Sequence, residues 1–139
     1  MIRNFILEQT NIPLLNKALD VYSLRQRTIS SNISNVNTVG YREKEVKFEE
    51  LLQRQLRKHL SGIQTDERHI PLGRLRVREV RPQVLENKSD DYYSGVNNVD
   101  IDKQVVEQVK NEIRFMYASR IISANFAALR ASIKGRFDR

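Results

Sequence analysis

The sequence has no cysteine and no tryptophan, and its 139 residues include only five glycines and three prolines. Without cysteine the chain can form neither a disulfide framework nor a thiolate metal site. So few helix-breaking residues, in a chain of which 40% is hydrophobic, favour helices over sheets. The length suits one domain, which we place over residues 1–139.

Long hydrophobic runs are also missing. No stretch approaches the roughly 18 apolar residues that a membrane-spanning helix needs. The apolar start at Phe5, Ile6 and Leu7 is interrupted by Glu8 before it could form the core of a signal peptide. The sequence therefore predicts no membrane-spanning segment and no cleavable signal.

The first strong pattern is an apolar heptad series near the start of the chain, spaced alternately by three and four residues, with Gln26 in its one polar gap. Such a series predicts a coiled-coil seam about 25 residues long. Its members are Ile12, Leu15, Leu19, Tyr22, Ile29, Ile33 and Val36.

A second series near the end of the chain has the same spacing, with a phase shift near Arg120 that resembles a stutter. One amphipathic helix cannot bury its own apolar stripe, so each requires a partner in the same chain or in another one. These two series therefore indicate an assembly protein. The second series consists of Val106, Val109, Ile113, Met116, Ile122, Phe126, Leu129 and Ile133.

Punctuating residues divide the chain into segments. Thr10 or Asn11 is the expected cap of a first helix over residues 12–38, with Pro13 in its first turn. A short amphipathic helix is predicted over residues 45–60. A basic, irregular insert follows over residues 61–98, with one possible strand at 75–80. Residues 100–134 form the predicted last helix, with acidic residues at its start and Gly135 at its end.

Positive charge is concentrated between Arg54 and Pro82, where eight basic residues stand against three acidic ones and give a net charge of +5. With Tyr92 and Tyr93 as stacking groups, this stretch keeps a basic helical nucleic-acid-binding module as an alternative. No known groove-reading pattern surrounds these residues, so no nucleic acid is expected. The basic residues are Arg54, Arg57, Lys58, Arg68, Arg74, Arg76, Arg78 and Arg81.

No constellation of nucleophile, base and oxyanion donors is recognisable, and no ligand set has the spacing of a metal site. His59 and His69 lie in the basic stretch and are interpreted as solvated. Adjacent carboxylates such as Glu49 and Glu50, or Asp90 and Asp91, diverge from each other in a helix or strand. The sequence therefore predicts no catalytic residue, no metal ligand, no cofactor and no enzyme.

The unusual stretch is residues 32–41, Asn-Ile-Ser-Asn-Val-Asn-Thr-Val-Gly-Tyr. Asparagine and glycine tolerate left-handed backbone, and asparagine amides bond to nearby backbone. One interpretation is a helix end followed by a turn. The other is that these amides tie the turn to a neighbouring subunit, because buried polar groups require partners at an interface. The residues alone do not separate the two.

These residues resemble the N-terminal signature of bacterial flagellar rod and hook proteins, commonly Asn-x-Ala-Asn-x-x-Thr-x-Gly-Tyr. Ser34 replaces the usual alanine, and Val39 stands where proline is common. A second stretch, residues 95–103, resembles the Gly-Asn-Asn-Val-Asp-Ile-Asp-Lys run of one class of proximal rod protein, and separates that class from the related FlgC. Gln104 and Val105 then replace the usual Glu-Met.

The resemblance covers roughly residues 12–50 and 95–136, whereas the basic middle has no matching motif. It implies a mainly α fold in which long N- and C-terminal helices pack as an antiparallel type of coiled coil, with a short third helix and a slightly β middle segment. The residues assigned to the assembly motif are Asn32, Asn35, Asn37, Thr38, Gly40, Tyr41, Asn97, Asn98, Val99, Asp100 and Asp102.

In function, the resemblance implies a structural subunit of the flagellar proximal rod that helps to transmit torque for motility. The implied partners are further copies of the chain, proximal rod proteins of the FlgC type, the adaptor FliE, the membrane ring protein FliF and the flagellar type III export apparatus. The implied location is the periplasmic rod of the basal body, reached without a cleavable signal. A cytosolic export chaperone or adaptor is a further alternative.

Overall fold

The computed structural model describes residues 10–57, 80–89 and 96–135. It contains helix α1 (Ile12–Ser34), strand β1 (Lys44–Lys47), helix α2 (Glu49–Arg57), strand β2 (Gln83–Glu86) and helix α3 (Ile101–Lys134). The mainly helical fold predicted from the sequence is confirmed, because the long helices α1 and α3 pack against each other.

The two long helices run antiparallel. Asn32, near the end of α1, bonds to Gln104, near the start of α3, whereas Asn111, one-third of the way along α3, bonds to Tyr22 and Gln26 in the middle of α1. As the residue number rises along one helix, it falls along the other. The two helices therefore form a long antiparallel hairpin, with one helix from the N-terminal part of the chain and the other from the C-terminal part.

Local signals determine where these helices begin and end. Pro13 lies in the first turn of α1, as expected, but the side chain of Asn11 makes no capping bond. Asp100 caps α3, where its carboxylate accepts hydrogen bonds from the backbone N–H groups of Asp102 (3.0 Å) and Lys103 (3.2 Å). Gly135 ends α3 with φ of 68°, a left-handed conformation that glycine adopts without steric cost.

The short segment after α1 corrects the predicted helix over residues 45–60. Residues Lys44–Lys47 form β1, which pairs antiparallel with β2, and α2 begins only at Glu49. Pairing with a strand almost forty residues away, inside the insert predicted to be irregular, places residues 45–47 in β1. The predicted short third helix itself is confirmed as α2. The possible strand at 75–80 lies outside the described residues except for Val80, which is buried.

One apolar cluster holds the small sheet against α1. Val21 lies in α1, Val46 and Phe48 lie in and directly after β1, and Val80 lies shortly before β2. Leu24, Leu51 and Leu52 pack around this cluster and are partly buried. Removing such side chains from water contributes on the order of 1.5–3 kcal/mol each, so this cluster sets the position of β1 beside the hairpin.

Candidate functional site

The two signature segments of the sequence meet in space at the closed end of the hairpin. Asn32 is completely buried there. Its Nδ2 donates to the carbonyl of Lys44 (2.8 Å) and to Oε1 of Gln104 (3.0 Å), and its Oδ1 accepts from the N–H of Lys44 (3.0 Å) and from the hydroxyl of Tyr41 (3.0 Å). One amide therefore joins α1, β1 and α3 with every donor and acceptor satisfied.

Gln104 in turn forms a hydrogen bond with a buried carboxylate. Its Nε2 donates to Oε1 of Glu43 (2.7 Å), and the same oxygen accepts from Nζ of Lys103 (3.0 Å). The other oxygen of Glu43 accepts from Nδ2 of Asn87 (2.9 Å). The side chain of Glu43 is only 8% exposed, so these charged and amide donors offset the cost of removing a carboxylate from water.

Asn97 closes the end of α1 from the opposite side. Its Nδ2 lies 2.9, 2.8 and 3.1 Å from the carbonyl oxygens of Asn35, Val36 and Thr38, and its Oδ1 accepts from the N–H of Val99 (3.0 Å). The last carbonyls of a helix have no partner within the helix itself. Asn35 is the C-cap of α1, and Val36 and Thr38 lie in the turn after it. A residue from the second signature thus bonds to the C-cap and the following turn of the helix that carries the first.

Asn98, the next residue, bonds to two other segments of the chain at the same junction. Its Oδ1 accepts from the N–H of Glu43 (2.8 Å), and its Nδ2 donates to the carbonyls of Asn87 (3.0 Å) and Ser89 (3.4 Å). Val99 follows with 1% of its surface exposed. We call the set Asn32, Glu43, Asn97, Asn98 and Gln104 the amide junction, because side-chain amides make most of its bonds.

Most of the remaining residues of the first signature lie in the turn that follows α1. Asn35 bonds within the turn, donating to the carbonyl of Ser31 (2.7 Å) and accepting from the hydroxyl of Thr38 (3.2 Å). Gly40 has φ of 74°, which favours glycine at this position. Asn37 and Thr38 are exposed. For Asn35 the interpretation as part of a helix end therefore fits, whereas Asn32 and Asn97 make tertiary bonds within one chain.

Asp100 and Asp102 complete the second signature. The capping bonds of Asp100 assign it a structural role, and Asp102 is exposed in the first turn of α3. The predicted junction with a neighbouring subunit is thus filled, at its buried amides, by the chain's own helices. The assembly role of the exposed members stays a prediction.

All members of the apolar series predicted for the first helix are buried or partly buried. Ile12 and Ile29 are buried, and the other members are partly buried. Gln26, in the polar gap of the series, accepts a hydrogen bond from Nδ2 of Asn111 (3.0 Å) in α3. The partly buried members are Leu15, Leu19, Tyr22, Ile33 and Val36.

The predicted seam of α3 is corrected. Ile122 and Leu129 are partly buried, but six of the eight residues are exposed on the hairpin. The buried residues of α3 are instead Gln104, Asn111 and Ala118, which recur every seven residues along one face. Polar and small side chains occupy this packing face in the first half of α3, so an apolar search selected the opposite face there. After the phase shift near Arg120 the predicted series returns to the packing side. The exposed six are Val106, Val109, Ile113, Met116, Phe126 and Ile133.

Sequence reasoning therefore missed Glu43, Gln104 and Asn111 as structural residues. Residues seven apart lie on one side of a helix, but Gln104 and Asn111 are polar, so no apolar repeat marked this face in the sequence. Asn111 is 2% exposed and donates to the carbonyl of Tyr22 (3.0 Å). Its Oδ1 is the one buried side-chain polar atom without a partner among the described residues.

An ion pair fixes α2 to the side of α1. Nη1 and Nη2 of Arg25 donate to the two carboxylate oxygens of Glu49 at 2.9 and 2.6 Å, and Nη2 also lies 3.3 Å from the carbonyl of Val46. Partial burial raises the pKa of Glu49, but the hydrogen bonds from Arg25 and from the backbone lower it more, so the net pKa is below the usual value. This two-point contact joins the start of α2 to the middle of α1.

Among the described residues, no three His, Asp or Glu side chains are grouped so that they could hold a metal ion. In the same part of the chain, no helix is both long enough and apolar enough to cross a membrane. The basic stretch lies mostly outside the described residues, as do His59, His69, Asp90, Tyr92 and Tyr93, and of Arg54 and Arg57 only the backbone is described. The described site is thus a polar junction that joins the end of α1 to the start of α3 at the closed end of the hairpin.

Comparisons with known proteins indicate a class of structural proteins. Residues 15–42, which include most of α1 and the whole first signature, match the family model described as flagella basal body rod protein. The chain is 28% identical over 121 residues to the flagellar basal body rod protein FlgB of Bacillus subtilis, covering 87% of this chain and 91% of that protein. It is also 28% identical over 132 residues to FlgB of Borreliella burgdorferi, covering 91% and 97%.

A more distant relative, FlgB of Aeromonas hydrophila, is 25% identical over 122 residues, covering 85% of this chain and 88% of that protein. The chain is thus similar to flagellar basal body rod proteins along most of its length, and the resemblance recognised from its two signatures is confirmed. Rod proteins are structural components of the flagellum and not an enzyme family, so the comparisons support a structural role in the flagellar rod, assembled with other rod components.

Proposed function

We propose that this chain is a structural subunit of the proximal rod of the bacterial flagellum, where it joins the membrane ring and its adaptor to the rest of the rod and helps to transmit torque. The observation that carries the proposal is the amide junction. The two segments that resemble rod-protein signatures, separated by about sixty residues of chain, are bonded to each other through Asn32, Gln104 and Asn97.

The geometry suits a part that bears a twisting load. A hairpin of one helix of 23 residues and one of 34 residues can resist torsion only if its helices cannot slide along each other. The bonds of Asn111 to α1 and of Asn32 to Gln104 lie about one-third of the length of α1 apart and fix that register at two points. A load passed from one subunit to the next would then move the two helices as one body.

Export through a narrow channel, which the resemblance implies, is supported by two features. The chain has no cysteine, so no disulfide has to be broken before passage. The apolar cluster beside α1 has four buried residues among those described, so separating β1 from the hairpin disrupts few apolar contacts. We propose export without a cleavable signal and a final position in the periplasmic rod, with FliE, FliF and FlgC-type proteins as neighbours.

The direct test is mass spectrometry of basal bodies purified in detergent from the source cell, compared with those from a strain that lacks this gene. We expect the chain in wild-type basal bodies and a missing rod in the deletion strain, with motility restored by the gene in trans. Intact rods in the deletion strain, or a chain that copurifies only with cytosolic export components, would overturn the proposal. The second result would favour the export-adaptor alternative.

A nucleic-acid-binding role is distinguished by a separate measurement on the purified chain. Such a role predicts tight binding that weakens steeply with salt concentration. We expect no such binding to a duplex or single-stranded oligonucleotide at physiological ionic strength. The matched control is a variant in which Arg74, Arg76 and Arg78 are replaced by glutamine, which should behave as the wild type does.

A further inference from the structure

One face of α3 has no partner within the hairpin. Val106, Val109, Ile113 and Met116 are 51, 51, 45 and 53% exposed. With 3.6 residues per turn, they lie on the opposite side of α3 from Gln104, Asn111 and Ala118, the face that packs against α1. We call these four residues the outward stripe. Four large apolar side chains in one line on a helix mark a surface that another molecule covers.

Charged residues of opposite sign extend the outward stripe at its two ends. Asp102 precedes it and Arg120 follows it, and the complete series is spaced four, three, four, three and four residues apart. Both end residues are exposed, and neither forms an ion pair with another described residue. Two such helices placed parallel and in register would bring Asp102 against Asp102 and Arg120 against Arg120. The charges therefore disfavour that arrangement.

The second half of α3 offers a complementary surface. Ala124, Ala127 and Ala131 lie about 18 residues, or about five turns, beyond Val106, Val109 and Ile113, so they occupy the same side of the helix. Ala124 and Ala127 are exposed, and Ala131 is partly buried. A parallel copy shifted by this amount places Val106, Val109 and Ile113 each opposite an alanine, and Met116 opposite Lys134. The same shift places Asp102 of one copy level with Arg120 of the other.

An antiparallel pair centred on Asn111 would also match Asp102 with Arg120, and it would place Val109 opposite Ile113. That pair closes on itself with twofold symmetry and leaves the alanines uncovered. A shifted parallel pair does not close, because each copy still presents an outward stripe or an alanine segment to a further copy. Open polymers of a rod require contacts of this second type.

We propose that the outward stripe of α3 packs on Ala124, Ala127 and Ala131 of a second copy of this chain, parallel to it and shifted along the helix axis by about 27 Å. This inference rests on the proposed role as a rod subunit and names the surface through which copies meet. Large side chains packed on small ones let two helices approach closely, and the Asp102–Arg120 pair sets the shift between parallel copies.

Cysteine cross-linking tests the contact without background, because the chain has no cysteine of its own. In a variant with both Val109→Cys and Ala127→Cys, the two thiols of one chain lie about 27 Å apart along the helix and cannot pair within it. We expect oxidation of purified rods to give a covalent ladder of two or more copies. The single variants Val109→Cys and Ala127→Cys are the matched controls and should remain uncross-linked.

Each other outcome contradicts the proposal in a recognisable way. Dimers of the single variant Val109→Cys would show copies packed in register. Cross-links between chains in a Val109→Cys, Ile113→Cys double variant, absent from both of its single variants, would show the twofold antiparallel pair. A product that joins this chain to a different protein would show that the partner is not a second copy, and no product at all would show that the stripe and the alanines do not meet. Mass spectrometry of the same rods before oxidation tests the proposed function separately, since a rod can contain the chain and still give no ladder.

Discussion

The side chains of Asn32 and Gln104 are hydrogen-bonded at 3.0 Å although 72 residues separate them in sequence. Each of the two amides uses its other polar atom for a further contact, Asn32 with the backbone of Lys44 and Gln104 with the carboxylate of Glu43. The bond is therefore the link between two halves of one network. Helix α1 and helix α3 are held at this point by polar bonds, at a packed position where coiled coils ordinarily have an apolar residue.

The first prediction concerns Asn32. Replacing it with leucine keeps a similar volume but removes both hydrogen bonds to Lys44 and leaves the buried amide of Gln104 and the hydroxyl of Tyr41 each without one partner. We expect the free energy of unfolding to fall by about 2–4 kcal/mol. Urea denaturation of the purified chain measures this change. Asn37→Leu, at an exposed position in the next turn, is the control and should change stability by less than about 0.5 kcal/mol.

The second prediction separates the donor from the acceptor function of Asn97. Asn97→Asp keeps an oxygen for the N–H of Val99 but removes the amide donors and places negative charge beside the carbonyls that end α1. Because the C-terminal end of a helix disfavours negative charge, Asn97→Asp should destabilise the chain more than Asn97→Ala, by roughly 0.5–1 kcal/mol at neutral pH.

Hydrogen exchange locates the effect of these two variants. Amides in the last turn of α1 should exchange faster in both variants, and those in the middle of α3 should change least. The two variants should converge in stability at a pH low enough to protonate the new carboxyl group. Equal stability of Asn97→Asp and Asn97→Ala at neutral pH would contradict a capping role for the Asn97 amide.

The fold was predictable where its signals are local. Periodicity predicted the long helices, and Asp100 and Gly135 marked the ends of α3, because caps depend on residues within one turn. β1 was not predictable in this way, since its formation depends on pairing with β2, in which Lys44 lies opposite Glu86. No spacing inside a segment of four residues can reveal a partner strand so far away in sequence.

The amide junction was predictable only in part. Asn32 and Asn97 could be singled out through their signatures, but neither their bonds nor the part played by Glu43 followed from the sequence. An apolar search also chose the outward stripe of α3 as the face toward α1. It did so because hydrophobic periodicity identifies a face that is buried somewhere, and does not say whether the covering surface belongs to the same chain.

The third prediction is a pH dependence that arises from Arg25 and Glu49. Because the folded-state pKa of Glu49 lies below its ordinary value of 4.5, the ion pair adds stability above that pH, and the contribution is lost as the pH falls through the folded-state pKa. Glu49→Gln should therefore lower stability at pH 7 and should flatten the acid limb of the stability profile. The carboxylate is 54% exposed, so we expect an effect below about 1 kcal/mol.

Urea denaturation between about pH 3 and pH 7 measures this prediction. The matched control is Glu45→Gln, an exposed position in β1, which should change the stability at pH 7 by less than about 0.5 kcal/mol. An acid limb of unchanged slope in Glu49→Gln would show that the contact with Arg25 does not hold α2 against α1 in solution.

The last prediction distinguishes the two helical faces that the sequence alone grouped together. Leu19 is partly buried in α1, so Leu19→Asp places a charge in the packed hairpin and should lower the free energy of unfolding by several kcal/mol. Ile113 is 45% exposed on the outward stripe, so Ile113→Asp should change the stability of the isolated chain by less than about 0.5 kcal/mol. Both variants should abolish rod assembly, one because the subunit does not fold and the other because a folded subunit cannot pack on its neighbour.

Circular dichroism of the purified chains and a motility assay of complemented deletion strains separate the two causes. Normal motility with Ile113→Asp would show that the outward stripe faces solvent in the finished rod, whereas loss of helical structure in that variant would place Ile113 in the packing of the single chain.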